Sequence, residues 1–189
     1  MLFKRLLILP ILILFGCTAA IDARSLNEAF NRVNPTVVVI FTKERGYSKE
    51  KFGEMQTSGN LGSGFVISRD GLIMTAAHVV QVADEVMVQF LDGTQADAKV
   101  MGADKTADVA LLKLENPPRK LFVAKLGNSD EVKIGDQVFV VGAPHGLFHT
   151  LTVGYISGRR RPGNLSDELL PIEFLQTDAA INTGNSGGP

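Results

Sequence analysis

Tryptophan is absent from this chain of 189 residues, and its one cysteine is Cys17. A single thiol cannot form an internal disulfide, so the fold must be stabilised by core packing. The chain also lacks an excess of either charge, because 19 basic and 20 acidic residues leave a net charge of −1. We therefore expect neither nucleic acid nor an anionic membrane surface as the main partner.

Long hydrophobic runs are missing as well. The apolar run that begins at Leu6 and ends at Phe15 is about half of the roughly 20 residues that a membrane-spanning helix needs. Lys4 and Arg5 precede this run, and small residues follow it up to Ala20. This arrangement is typical of a secretory signal, so we predict that residues 1–20 are a signal peptide and that the protein is exported.

Cys17 lies at the end of this signal. The residues Leu14-Phe15-Gly16-Cys17 resemble the bacterial lipobox, in which the cysteine is lipidated and becomes the mature N-terminus. Lipidation at Cys17 would anchor the protein to a membrane, provided that more than one acyl chain is attached. The alternative is cleavage after Ala20, which would discard the cysteine.

An amphipathic helix is expected at the start of the mature chain. Ser25 and Glu28 fit a capping box, and Asn34-Pro35 ends the segment. Apolar residues recur at helical spacing, at Leu26, Phe30 and Val33. We assign residues 21–35 to an N-terminal helix and linker.

Short apolar segments and tight turns follow. Arg69-Asp70-Gly71 and Asp92-Gly93 are typical hairpin turns, and residues 115–120 form a polar connector. Strands are predicted at residues 36–42, 64–68, 72–76, 85–90, 109–114, 138–141, 150–156 and 173–177. Such short strands favour an antiparallel barrel or sandwich.

The last eight residues, Asn182-Thr183-Gly184-Asn185-Ser186-Gly187-Gly188-Pro189, surround a serine with glycines. Glycine lets the backbone turn sharply around Ser186, so the N–H groups of Gly184 and Ser186 can converge on one oxygen as an oxyanion hole. On its own, the segment would equally suit a flexible loop.

A histidine and an aspartate supply the other groups of a hydrolytic triad. His78 ends a predicted strand among small and apolar residues, where a lone histidine is more often structural. Asp108 opens an apolar strand and is expected to be buried against the imidazole, whereas Asp104 is typical of a solvated turn. The order His78, Asp108, Ser186 is that of chymotrypsin-type enzymes, so we predict that these three residues form a catalytic triad.

From about Asn34 onward the chain resembles the HtrA/Deg family of trypsin-like serine proteases. The resemblance is carried by Gly62-Ser63-Gly64-Phe65 leading to His78, by Asp108-Val109-Ala110-Leu111-Leu112-Lys113, and by Gln176-Thr177-Asp178-Ala179-Ala180-Ile181-Asn182 leading to Gly184-Asn185-Ser186-Gly187-Gly188. Gly142-Ala143-Pro144-His145-Gly146 matches a family turn, with His145 where an aromatic residue is usual.

The resemblance implies an all-β fold of two six-stranded antiparallel barrels, with the triad in the cleft between them. The first barrel would span residues 36–116, and residues 134–189 would begin a second barrel that stays incomplete because the chain is C-terminally truncated. It also implies an exported periplasmic serine endopeptidase that needs no cofactor, cleaves unfolded or damaged envelope proteins and forms a homotrimer or higher oligomer. The alternative is a chaperone or stress sensor that binds misfolded polypeptides with little proteolysis.

Four further features have weaker implications. His145 and His149 lack the cysteine or acidic cluster that a metal site needs, so no metal is expected. Arg159-Arg160-Arg161 is expected to begin a solvated loop. Residues 45–60 match a mobile loop between subunits of the relatives, and the uncharged Asn185 excludes the salt bridge that activates digestive zymogens.

Overall fold

The computed structural model describes residues 23–47, 55–160 and 172–189. Helix α1 spans Ala23–Val33, and a 3-10 turn at Asn34–Thr36 leads into the first strand. The helix therefore ends where Asn34-Pro35 predicts. It begins before Ser25, so this serine lies in the first turn and is not the N-cap. No helix among the described residues is long and apolar enough to span a membrane.

Six antiparallel strands form a closed barrel, as predicted for the first half of the chain. Around the barrel the order is β1-β2-β3-β6-β5-β4. The strands are β1 (Val37–Tyr47), β2 (Met55–Val66), β3 (Leu72–Thr75), β4 (Glu85–Gln89), β5 (Gln95–Asp104) and β6 (Val109–Leu114). Closure pairs every strand on both sides and so leaves no exposed edge.

The barrel encloses the main hydrophobic core. Alternate residues point inward because side chains of a strand alternate between faces, and in β4 these are Val86 and Val88. The most deeply buried members of the core are Val38, Ile40, Val66, Ile73, Val88, Leu112 and Leu114. Each such side chain contributes about 1.5 to 3 kcal/mol by leaving water.

A second antiparallel sheet follows a segment without helix or strand that spans residues 115–128. It contains β7 (Gln137–Gly142), β8 (Thr150–Arg160) and β9 (Phe174–Thr177), in that order. Among the described residues this sheet has three strands and is not closed, as expected for an incomplete second barrel.

Strand β5 was not predicted from the sequence. It pairs with β4 and β6 over Gln95–Asp104, yet Ala98 is its one buried residue. The pairing is irregular between Val100 and Gly102, where a bulge shifts the register. The first half of β5 alternates, with Ala96, Ala98 and Val100 each following a polar residue, but the small alanines and the bulge after Val100 make this signal weak.

Two segments expected as loops are strands instead. Pairing of β1 with β2 continues to Tyr47 and Met55, so much of residues 45–60 lies in a long hairpin, while residues 48–54 lie outside the described part. Arg159 and Arg160 belong to β8, and Arg161 lies outside the described residues. The Arg159 Nε donates to Glu173 Oε1 over 2.7 Å, an ion pair that a solvated loop would not require.

The barrel core predicts a clear difference between two leucines. Leu112 is fully buried between Ile73 and Val100 on the neighbouring strands, whereas Leu126 is 59% exposed. Leu112→Ala should lower the free energy of unfolding by about 2 to 5 kcal/mol because it leaves a cavity. Leu126→Ala should change it by about 0.5 kcal/mol or less. Urea unfolding measures both, and equal effects would contradict the assignment of the core.

Candidate active site

His78 lies in α2 (Ala77–Val80), a single helical turn directly after β3. Ala77, Val79 and Val80 pack into the core, and the turn therefore leaves His78 pointing outward with 56% of its side chain exposed. Gly62 of β2 makes room for this packing, because a Cβ at that position would lie 2.5 Å from Val79. The histidine was predicted at the end of a strand, and the structure places it in this helical turn.

Asp108 uses both its carboxylate and its backbone carbonyl to hold the segment that carries His78. Its Oδ2 lies 2.7 Å from His78 Nδ1, and its Oδ1 accepts the backbone N–H of His78 over 2.9 Å. Its carbonyl oxygen also accepts the N–H of Ala77 over 3.1 Å. Asp108 has a φ of 52°, a left-handed conformation that aspartate tolerates better than most residues. This turn aims the carboxylate at the imidazole just before β6 begins.

The electrostatics of Asp108 favour its ionised form. Partial burial raises the pKa of its carboxyl, but hydrogen bonds from the His78 backbone and imidazole outweigh burial, so the pKa lies below the ordinary value. The side chain is 48% exposed, whereas the sequence predicted a buried acid. Hydrogen bonds therefore hold the carboxylate in place more than burial does. The competitor Asp104 accepts the N–H groups of Thr106 and Ala107, as a turn residue does.

Glycines bring the segment around Ser186 close to both halves of the fold. Gly184 and Gly187 have φ angles of 103° and 81°, which side chains rarely adopt. A Cβ at Gly187 would lie 2.6 Å from the N atom of Ala76, two residues before His78. Gly187, the residue after Ser186, therefore packs closely against Ala76, which leads into the helical turn of His78. No hydrogen bond joins the Ser186 hydroxyl to the imidazole within the described residues.

The loop formed by residues 184–189 is held by β2 and by the start of the second sheet. The N–H of Ser63 donates to the Ser186 carbonyl over 2.9 Å, and the Ser63 hydroxyl donates to the Gly184 carbonyl over 2.7 Å. On the other side, Val141 donates to the Pro189 carbonyl over 3.0 Å. Sequence reasoning missed Ser63 as a site residue, although it lies inside the Gly62-Ser63-Gly64 block.

The two N–H groups predicted for an oxyanion hole have no protein acceptor. Among the described residues, neither Gly184 nor Ser186 donates its backbone N–H to another group of the chain. Gly184 is buried, and a buried N–H without a partner is rare in folded proteins.

The two histidines of the β7–β8 connection contact different parts of the chain. The exposed His145 donates its backbone N–H to Thr183 over 3.0 Å, next to Gly184. His149 Nδ1 lies 2.8 Å from Asn34 Oδ1, and burial lowers the pKa of this imidazole. Among the described residues, no group of three or more His, Cys, Asp or Glu side chains is placed to hold a metal ion. Cys17 lies outside the described part of the chain.

A closed six-stranded barrel, a second antiparallel sheet and a His–Asp pair at the barrel rim define the trypsin-like fold class. The profile of the trypsin-like peptidase domain matches residues 62–189 of this chain. The chain belongs to that family.

Similar proteins place it near the HtrA/Deg proteases, as the sequence motifs predicted. A probable periplasmic DegP-like serine endoprotease from Ectopseudomonas mendocina is 48% identical over 138 residues, which are 72% of this chain and 28% of that protein. Protease Do-like 1 of Arabidopsis thaliana, a chloroplast protein, is 41% identical over 85% of this chain and 37% of its own length. The chain thus spans less than half the length of these relatives.

Solved structures agree with this placement. The HtrA-type protease AlgW with a bound tripeptide superposes with a TM-score of 0.72 at 34% identity, over 86% of this chain and 48% of that one. A variant of AlgW with a decapeptide gives a TM-score of 0.74 at 31% identity, over 86% of this chain and 53% of that one.

The His78–Asp108 contact predicts a pH effect. His78→Ala removes the imidazole hydrogen bond and charge that lower the pKa of Asp108, so this pKa should rise, as a carboxyl-carbon NMR titration can measure. A carboxyl whose folded pKa is depressed stabilises the fold above its unfolded pKa, about 4, and loses this effect as pH falls through the folded pKa. The stability difference between protein and variant should therefore shrink below about pH 4.

Asp70 is the matched control for this titration. Its hydrogen bond with Lys113 lowers its pKa to about 2, and His78 contributes nothing to this shift. The pKa of Asp70 should therefore stay unchanged in His78→Ala. An unchanged pKa of Asp108 would show that the imidazole contact is not formed in solution.

Proposed function

We propose that this chain carries the catalytic triad of a serine endopeptidase, formed by His78, Asp108 and Ser186. The observation that carries the proposal is the 2.7 Å contact between His78 Nδ1 and Asp108 Oδ2. A carboxylate only accepts, so it holds the proton on Nδ1 and leaves the lone pair of Nε2 available as a general base. The packing of Gly187 against Ala76 supports the placement of Ser186 beside this base.

The reaction follows from these roles. Ser186 Oγ attacks the carbonyl carbon of a peptide bond while His78 Nε2 takes the hydroxyl proton. The imidazolium, stabilised by the ionised Asp108, then gives that proton to the leaving amine, and an acyl-enzyme remains on Ser186. Water repeats the sequence, with His78 as base, to release the acid product and restore the hydroxyl.

Charge that develops on the peptide carbonyl oxygen needs donors that are already in place. We assign this role to the N–H groups of Gly184 and Ser186. Both lack an acceptor among the described residues, and the φ of 103° at Gly184 is open to glycine but strained for other residues. Gly184 also lies too close to the Ala143 carbonyl for a side chain to fit.

The substrates, location and assembly complete the proposal. The relatives are named periplasmic endoproteases, so unfolded or damaged polypeptides of the bacterial envelope are the proposed substrates. A homotrimer belongs to the same proposal. It is supported by α1, on which Leu26, Phe30 and Val33 form an apolar stripe that is incompletely buried.

A fluorophosphonate probe tests the nucleophile in the product of the complete gene. The probe should label Ser186, because attack on phosphorus needs the same base and oxyanion donors as attack on a peptide. Ser186→Ala should abolish labelling and reduce kcat/KM for an unfolded protein by about 10⁴-fold or more. Ser129→Ala, which removes an exposed serine, is the control and should change neither. Binding of an unfolded protein without labelling would favour the chaperone alternative.

Lipid attachment at Cys17 is a separate part of the proposal. Cells fed a radiolabelled fatty acid should incorporate label into the protein, and Cys17→Ser should abolish this incorporation. The same substitution should release the protein from the membrane fraction, since a chain without acyl groups has no anchor. A mature N-terminus after Ala20 would instead establish ordinary signal cleavage.

A further inference from the structure

Ser63 is a buried serine that the proposed reaction does not use. It lies on β2 opposite Val39 of β1, and its exposed fraction is 0%. A hydroxyl can donate one hydrogen bond and accept two, and a buried hydroxyl needs such partners. Both partners of Ser63 lie outside the barrel to which it belongs.

The hydroxyl links two segments that flank the candidate oxyanion hole. It donates to the Gly184 carbonyl over 2.7 Å and accepts the N–H of Ala143 over 3.1 Å. Gly184 belongs to the loop of residues 184–189, and Ala143 begins the connection from β7 to β8. The Ser63 Oγ atom therefore connects the barrel both to the 184–189 loop and to the connection between β7 and β8.

The backbone of Ser63 is held as firmly as its side chain. Its N–H donates to the Ser186 carbonyl over 2.9 Å, and its carbonyl accepts the Thr75 hydroxyl over 2.6 Å. Ser63 thus anchors the carbonyl groups of Gly184 and Ser186, the two residues whose N–H groups are the proposed oxyanion donors.

Anchoring these carbonyls restrains the donors because each peptide unit is planar. The plane that contains the Ser186 N–H lies between the anchored carbonyls of Gly184 and Ser186. The plane that contains the Gly184 N–H is joined to the first anchored carbonyl through one α-carbon. If the hydroxyl were removed, the Ala143 N–H, 3.3 Å away, would be the remaining donor to the Gly184 carbonyl among the described residues.

The space around Ser63 suits a side chain of this size. A Cβ at Gly188 would lie 3.3 Å from Ser63 Cβ, and one at Gly142 would lie 3.1 Å from Ser63 Oγ. Neighbouring glycines therefore allow the loop to approach closely enough for the hydroxyl to reach the Gly184 carbonyl.

We propose that the Ser63 hydroxyl is a positioning group that aligns the backbone N–H donors of Gly184 and Ser186 for the transition state. This inference rests on the proposed function. Ser63 is fully buried and bonds the carbonyl groups of Gly184 and Ser186, not the Ser186 hydroxyl, so its effect should appear in transition-state binding and not in substrate affinity.

The test is Ser63→Ala in the product of the complete gene, with an internally quenched peptide as substrate and a peptide boronate of the same sequence as inhibitor. Per active site titrated with fluorophosphonate, kcat should fall about tenfold or more while KM changes by less than about twofold. The inhibition constant of the boronate, which forms a tetrahedral adduct with serine, should rise by the same factor as kcat falls.

A purely structural role would lower the melting temperature and the titrated fraction but leave kcat per site unchanged. Thr42→Val is the matched control, because Thr42 is 5% exposed in the same barrel and donates to Asn60, away from the loop. It should leave kcat and the boronate constant unchanged. Ser63→Cys retains a weaker donor and should show a smaller loss of kcat, about threefold or more.

Two failures are distinguishable. If the unsubstituted protein is not labelled at Ser186, the proposed function is wrong. If it is labelled and turns over, while Ser63→Ala or Ser63→Cys keeps the original kcat and boronate constant, the role of Ser63 is wrong and the triad stands.

Discussion

The docking of the 184–189 loop on β2 is the contact on which the site depends. His78 and Asp108 are attached to the closed barrel, whereas Ser186 comes from the far end of the chain. The two parts meet through backbone groups and one buried hydroxyl, at Ser63. The buried hydroxyl and backbone groups of Ser63 are all paired, and another position of the loop would leave them without these partners. Apolar packing, which has little directional preference, would not align the loop to this degree.

The barrel contributes rigidity to this contact. Its core consists of aliphatic side chains at inward positions of the strands, and the short helix α2 is packed onto it by three of its four residues. The fourth residue, His78, is therefore displayed on a rigid base. Asp108 is held at the neighbouring strand entrance by a left-handed turn, an uncommon conformation that the hydrogen bonds to residues 77 and 78 help to maintain.

Sequence patterns were informative where one local rule decides the structure. The strand predicted at residues 85–90 is β4, and the turn at Asp92-Gly93 is formed with a φ of 82° at the glycine. Prediction was wrong where pairing with neighbours decides. Strand β5 is interrupted by a bulge and buries little, the extension of β2 is mainly polar, and both are strands because adjacent strands supply hydrogen-bond partners. Arg159 was expected in solvent, but Glu173 across the sheet holds it in β8.

The sequence by itself predicted the family and the type of fold, because the blocks around His78, Asp108 and Ser186 are local patterns, and the family match and the closed barrel confirm both. It also supplied the glycines, whose lack of a side chain is a local property. Only the tertiary structure decided which groups orient the site. Asp108 is held by hydrogen bonds while half exposed, and Ser63 contacts residues 80 and 121 positions away along the chain. Contacts between residues so distant in sequence exist only after the barrel closes, and no local pattern encodes them.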